Sequence, residues 1–340
     1  MTHRVGLQYI KRDWREGIRP FPLMHLIVTM PVTTRTNATR PQLLQVLKAQ
    51  IVALDAAMLV ALTSTDVGAV HKLRTTSRRV QAHLELLELL GHGDHPIRIP
   101  EHQPEAKAVM RGLRRIRRAA GAVRDLDVQA GMIALDAPEE AAAHNVSTGD
   151  VVRKQAKKLR NDLAAKRKGE TKKLATVLKD EEQDLAASLR ALEQTIKPAY
   201  HSGITAAMLL KHVEAFFVAH VKLVLRTQQP RKNESQHMQL KRRLEGLDED
   251  TLHDIRKAAK LCRYMAEIAP EGTRARATAK QFEAVQGAGG HWHDWLLLQQ
   301  LAANFHGHKA ELTRRYEIYT NEALADYRLR LLELLPKLTA

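Results

Sequence analysis

Residues Ala69–Leu90 read AVHKLRTTSRRVQAHLELLELL, and the spacing of their side chains points to one helix with two different sides. At about 100° per residue, His71, Arg74 and Arg78 fall within roughly 60° of one another, with Arg79 beside them. Val70, Leu73, Val80, Leu84, Leu87 and Leu90 recur at steps of three, four or seven, which provides an apolar side for a core. The segment is predicted to pack with one side and to present cations with another.

A second copy follows. Thr251–Ile268 reads TLHDIRKAAKLCRYMAEI, in which His253 and Arg256 repeat the His-x-x-Arg spacing and Lys260 stands where Arg78 stood. Arg263 prolongs this row, and Lys257 accompanies it. A repeat at so long a period predicts two similar lobes, not a solenoid of short units. The copies differ in detail: Gln81 occupies the position of Arg263, and Leu261 that of Arg79.

These residues resemble the CHAD family, a helical family named for its histidines. Leu252, His253, Arg256, Lys257, Lys260, Arg263 and Tyr264 match the pattern of its second half, and His71, Arg74, Arg78 and Arg79 that of its first. Arg124, Asp125, Asp127 and Val128 resemble its Arg-Asp-x-Asp-Val turn, with His293-Asp294 as a weaker counterpart in which histidine replaces arginine. The resemblance covers about Gln42 to Leu335. It implies an all-α fold of two pseudo-symmetric antiparallel helical bundles with a basic groove, binding of inorganic polyphosphate, and an orienting role for Asp125, Asp127 and Asp294.

Composition agrees with an all-α chain. Alanine and leucine dominate and aromatics are only 4%, which favours helices over sheets. The 340 residues can bury one large core or two ordinary ones. Lys and Arg number 54 against 38 Asp and Glu, a formal charge of +16, so the expected partner is a polyanion. Charge alone does not choose among polyphosphate, nucleic acid and an anionic membrane. Cys262 is the single cysteine, which excludes an intramolecular disulfide and predicts a reducing, cytoplasmic setting. No uninterrupted apolar run reaches the roughly 18 residues of a bilayer span, so no membrane insertion is expected.

In chain order, residues 1–40 read as a basic, Pro- and Thr-rich extension without its own core. The first lobe is expected over 41–197 and the second over 198–340, with the break at Ile196–Gly203. A first helix from Pro41 to about Leu62 precedes the histidine helix. The loop Gly91–Pro104 holds His92, His95 and His102, but its prolines and glycines describe an exposed turn, and no metal site is predicted. In MRGLRRIRRAAGAVRDLDV, Arg111, Arg114, Arg115 and Arg118 follow the i, i+3, i+4, i+7 rule, a like-charged row that awaits an anion. Val151–Glu193 is charged and helical and reads as a solvated helix pair. In HWHDW, His291 and His293 are two apart and point to different sides of a helix, while Trp292 and Trp295 pack.

Three functions compete. The first is non-catalytic binding of polyphosphate, with association to polyphosphate granules, by His71, Arg74, Arg78, Arg79, Arg111, Arg114, Arg115, Arg118, His253, Arg256, Lys257, Lys260 and Arg263. Guanidinium forks at helical spacing suit a chain that offers only phosphate oxygens. The histidines either take a proton beside phosphate or hold the helices by hydrogen bonds; the residue types leave both open. Nucleic acid shares these electrostatics, but scarce aromatics and the lack of a finger or helix-turn-helix signature argue against it. A metal-dependent polyphosphatase needs carboxylates around Mg²⁺. Asp125, Asp127 and Asp294 are scattered beside cations, so neither catalysis nor a cofactor is expected.

Overall fold

Long stretches of Ala, Leu, Lys, Arg, Glu and Gln with few interior breakers dictate helices. The computed structural model describes residues 42–91, 103–136, 146–197, 204–225 and 234–339, and no strand occurs among them. The extension, Pro41, the loop histidines and Pro198 lie outside the described residues. In order the helices are α1 (Leu43–Thr63), α2 (Val67–Gly91), α3 (Gln103–Asp136), α4 (Val146–Ile196), α5 (Ala206–Leu225), α6 (Gln236–Glu245), α7 (Glu249–Ala266), α8 (Arg274–His306) and α9 (Glu311–Thr339).

Local chemistry sets several ends. The Asp66 carboxylate accepts from the Ala69 amide at 2.8 Å and caps α2. Asp248 accepts from Thr251 N at 2.8 Å at the start of α7, whose first turn also carries Glu249 and Asp250. Gly307 closes α8 at φ +90°, a conformation that glycine tolerates. The charged stretch expected to form a helix pair is instead the single helix α4, 51 residues long. Gly169 is its only interior glycine after the first turn and it contains no proline, so nothing turns the chain there.

The packing follows a near-dyad. In the first half α1 meets α2 and α4, α2 meets α3, and α3 meets α4; in the second, α5 meets α7 and α9, α7 meets α8, and α8 meets α9. Across the halves α2 meets α7, α3 meets α8 and α4 meets α9, so these three helices touch their own counterparts. One continuous cluster of buried side chains runs through both halves, from Leu47 and Leu73 to Phe282 and Tyr327. A smaller one, with Leu159, Leu163, Leu298 and Tyr316, ties the far ends of α3 and α4 to those of α8 and α9. Cys262, Phe217 and Tyr327 are core residues, and Trp292 packs there as its spacing predicts.

Helix α1 revises the reading of membrane spans. It is long and apolar enough to cross a bilayer by length and composition, despite Lys48 and Asp55. Averaging over the helix tolerates two charges that break an uninterrupted run. In the structure its Leu47, Leu54 and Ala61 are fully buried in the bundle.

Candidate functional site

Helices α2 and α7 meet between the halves, and their cationic sides converge there. Arg74 and Arg78 of α2 feel the charges of Arg256 and Lys260 of α7, while His71 feels Lys260 and Arg124. The two histidine helices are therefore neighbours, not opposite outer walls. Asp125, from α3, stands 4.0 Å from Arg74, and Asp294, from α8, faces Arg256, Arg124 and Lys260.

The cationic centre is poorly neutralised for its burial. Lys260 makes no ion pair of its own among the described residues, and its pKa is pushed down to about 7, first by burial and then by Arg78, Arg74 and Arg256. Burial also lowers Arg256 and Arg78, which remain cationic at neutral pH. Arg256 keeps a buried Nε without a hydrogen-bond partner. The acid between them yields as well: burial raises Asp294 to about 6 against the pull of Arg256. Charges held out of water with few acidic partners are costly, and the shifts of Lys260 and Asp294 toward their neutral forms are the response.

The histidines sit in the same field. His253 Nδ1 lies 3.4 Å from Arg256 Nη2, and its ring centroid is 4.4 Å from that of His293. Burial and then the Arg256 charge lower both, His293 to about 3, and His71 is lowered by desolvation and then by Arg124. All three rings are thus neutral at pH 7 in the free protein.

Two glycines make the convergence possible. A Cβ on Gly121 of α3 would stand 2.5 Å from Arg74 Nη1, and one on Gly289 of α8 would stand 2.7 Å from Tyr327 and 3.1 Å from Arg256 Cγ. Each half therefore has a bare stretch of helix under its His-x-x-Arg arginine.

Residues 45–303 match the model of the CHAD domain, well over half of the chain. The chain belongs to the CHAD domain family. Two solved structures share the fold. The CHAD domain from the plant Ricinus communis is 15% identical, with a TM-score of 0.54 over 86% of this chain and 89% of that one. PptA from Streptomyces chartreusis is 12% identical, with a TM-score of 0.56 over 89% of this chain and 99% of that one. No curated protein matches the sequence.

Not every candidate residue of this CHAD domain joins the central cluster. Arg79 lies 3.5 Å from Glu267, which also binds Arg263 at 2.8 Å. These two arginines flank Tyr264, with Cζ 6.0 and 5.5 Å from its ring centroid, and Arg263 reaches Glu283 at 2.9 Å. They clip α2 to α7 beside the cluster. Lys257 is exposed and pairs with Asp254 at 2.6 Å. All four arginines of the α3 row are exposed, but Arg115 turns to α4 and pairs with the buried Glu181. Asp127 serves α4 instead of the cluster. It holds Arg167 Nε at 2.5 Å, and Arg167 also donates to Thr65 O at 2.8 Å.

Arg117, outside the predicted α3 row, also reaches the cluster. It lies one turn beyond Arg114, feels Arg78, Arg114 and Arg74, has a buried unpartnered Nη1, and is lowered to about 10 by burial. Its i+3 relation to Arg114 and its four-residue step to Gly121 were the available signal. Trp295 packs on Tyr319 with centroids 4.7 Å apart and donates to His291 Nε2 at 3.1 Å. Among the described residues no three His, Cys, Asp or Glu side chains gather where they could hold a metal ion.

Proposed function

We propose that this CHAD domain binds inorganic polyphosphate without cleaving it, along a basic groove where α2 and α7 meet. The observation that carries this reading is the convergence of Arg74, Arg78, Arg256 and Lys260, with Asp125 and Asp294 as their acidic neighbours. A polyphosphate chain brings about one charge per unit and only acceptor oxygens. Guanidinium forks match those oxygens in pairs, and an ammonium fits between them. The family resemblance supports the same ligand, and recruitment to polyphosphate granules follows from it. Asp125 and Asp294 then orient cations and do not hold Mg²⁺.

The test is a titration with phosphate chains of graded length, followed by competition and a phosphate-release assay. Long chains are expected to bind, with affinity falling steeply as salt rises. Duplex DNA at equal phosphate concentration is expected not to displace them, and no phosphate is released with Mg²⁺ present. Displacement by DNA makes this a nucleic-acid binder, and phosphate release makes it an enzyme.

Binding also depends on pH, with a definite sign. Lys260 is about half neutral at its pKa near 7, and Asp294 loses its negative charge below about 6. A polyanion favours the proton on both, so affinity rises as pH falls from 8 to 6 and binding takes up protons. Calorimetry in buffers of different ionisation enthalpy measures that uptake directly. Lys260→Arg, charged throughout, is expected to flatten the profile.

A further inference from the structure

A cavity of about 420 Å³ opens between α2, α5 and α7 and shares Arg78 and Lys260 with the cationic cluster. Its other walls have a different chemistry. Phe216 and His220 form an aromatic side with ring centroids 4.2 Å apart, and Tyr264 and Leu261 add apolar surface. Glu85 lines it as a half-buried carboxylate that accepts from Gln81 Nε2 at 2.7 Å and is raised by burial. Asp254 lies nearby, paired with Lys257.

A bare phosphate chain has no use for these walls. It carries only acceptors, so Glu85 repels it, and it has no face to lay on an aromatic ring. A purine nucleoside has both missing features: a flat face that stacks, and an exocyclic or ring N–H that a carboxylate or amide oxygen accepts. The volume lies in the ordinary range for such ligands. We propose that this cavity is a nucleoside subsite, so that the domain takes a purine nucleoside polyphosphate with its base against Phe216 and His220 and its phosphates running over Arg78 and Lys260. This rests on the polyphosphate reading for the phosphate half only. Glu85 and Gln81 supply the hydrogen bonds to the base, and the continuity of the two sites through Arg78 and Lys260 fixes the direction of the ligand.

The test compares ATP, inorganic tripolyphosphate and long-chain polyphosphate by calorimetry on the full chain. ATP is expected to bind roughly tenfold more tightly than tripolyphosphate, the size of one stacked base. Glu85→Gln and His220→Ala remove most of that advantage without weakening either inorganic ligand. His220 is exposed, so its removal does not threaten the fold, whereas Phe216→Ala carries that risk. Equal affinity for ATP and tripolyphosphate overturns the proposal, as does an equal loss for all three ligands in both variants. ATP binding that survives when neither inorganic chain binds supports the subsite and removes the polyphosphate reading instead.

Discussion

Replacing Arg74 and Arg256 together by alanine lowers affinity for long-chain polyphosphate by at least about a hundredfold and leaves helix content unchanged. Each arginine supplies charge-assisted hydrogen bonds of about 1.5–3 kcal/mol, and about 2.7 kcal/mol is a hundredfold. The apolar sides of both helices are untouched, since Val70, Leu73, Leu252 and Ile255 remain in the core. The ligand-free variant is expected to melt no lower than the parent, because like charges are removed from a partly dry place. Lys260→Met carries this further. The folded pKa of Lys260 is about 7 against an ordinary 10.5, so its charge opposes folding. That penalty is absent above about pH 10.5, grows as pH falls and is complete below about 7. At pH 7 Lys260→Met therefore melts higher without ligand and binds polyphosphate less tightly. Circular dichroism, thermal melts and polyphosphate titration read these outcomes. Unchanged affinity in the double variant removes these helices from the site.

Alanine at the two glycines separates binding from folding. At Gly121 the new methyl meets the tip of Arg74, a flexible side chain that swings away. Helix propensity favours alanine by about 1 kcal/mol, so Gly121→Ala is expected to keep or slightly raise its melting temperature. With the guanidinium displaced, polyphosphate affinity falls by about tenfold. At Gly289 the methyl would stand 2.7 and 2.8 Å from ring carbons of Tyr327. That ring cannot move. It is fully buried, lies 5.8 Å from Trp292 in a stacked pair, and donates its hydroxyl to Leu252 O at 3.0 Å. Overpacking there is expected to cost about 2 kcal/mol net, or roughly 3 °C in melting temperature. Equal melting temperatures for Gly121→Ala and Gly289→Ala refute this distinction.

Much of the fold was readable because helical periodicity is a local signal. The two histidine helices follow from spacings within one segment, and the long-period repeat from comparing the two. The meeting of α2 with α7 was visible only as an analogy between copies, since nothing local says that Arg74 neighbours Arg256. Arg115 shows the limit. It shares the i, i+4 step of its row, yet its direction is set by Glu181, a residue on another helix. Arg79 meets Glu267 only once α2 and α7 have docked, whereas the Arg263–Glu267 pair is a local i, i+4 step that the sequence already held. The turn expected inside Val151–Glu193 failed for the opposite reason: charge patterning described solvent exposure and carried no stop signal. The cavity beside Phe216 was hidden because its walls come from three helices separated in the chain.

The near-dyad that sets α2, α3 and α4 against α7, α8 and α9 has a further consequence for a linear phosphate polymer. Such a polymer reads the same from either end, so on the proposed polyphosphate reading threading forwards or backwards would give equivalent complexes, and a chain could shift by one repeat without being released. Gln81 opposite Arg263 and Leu261 opposite Arg79 break the symmetry of the host but not of the guest. If the chain binds such a polymer, sliding along this track would replace one oxygen with an identical one and favour movement along it over repeated dissociation.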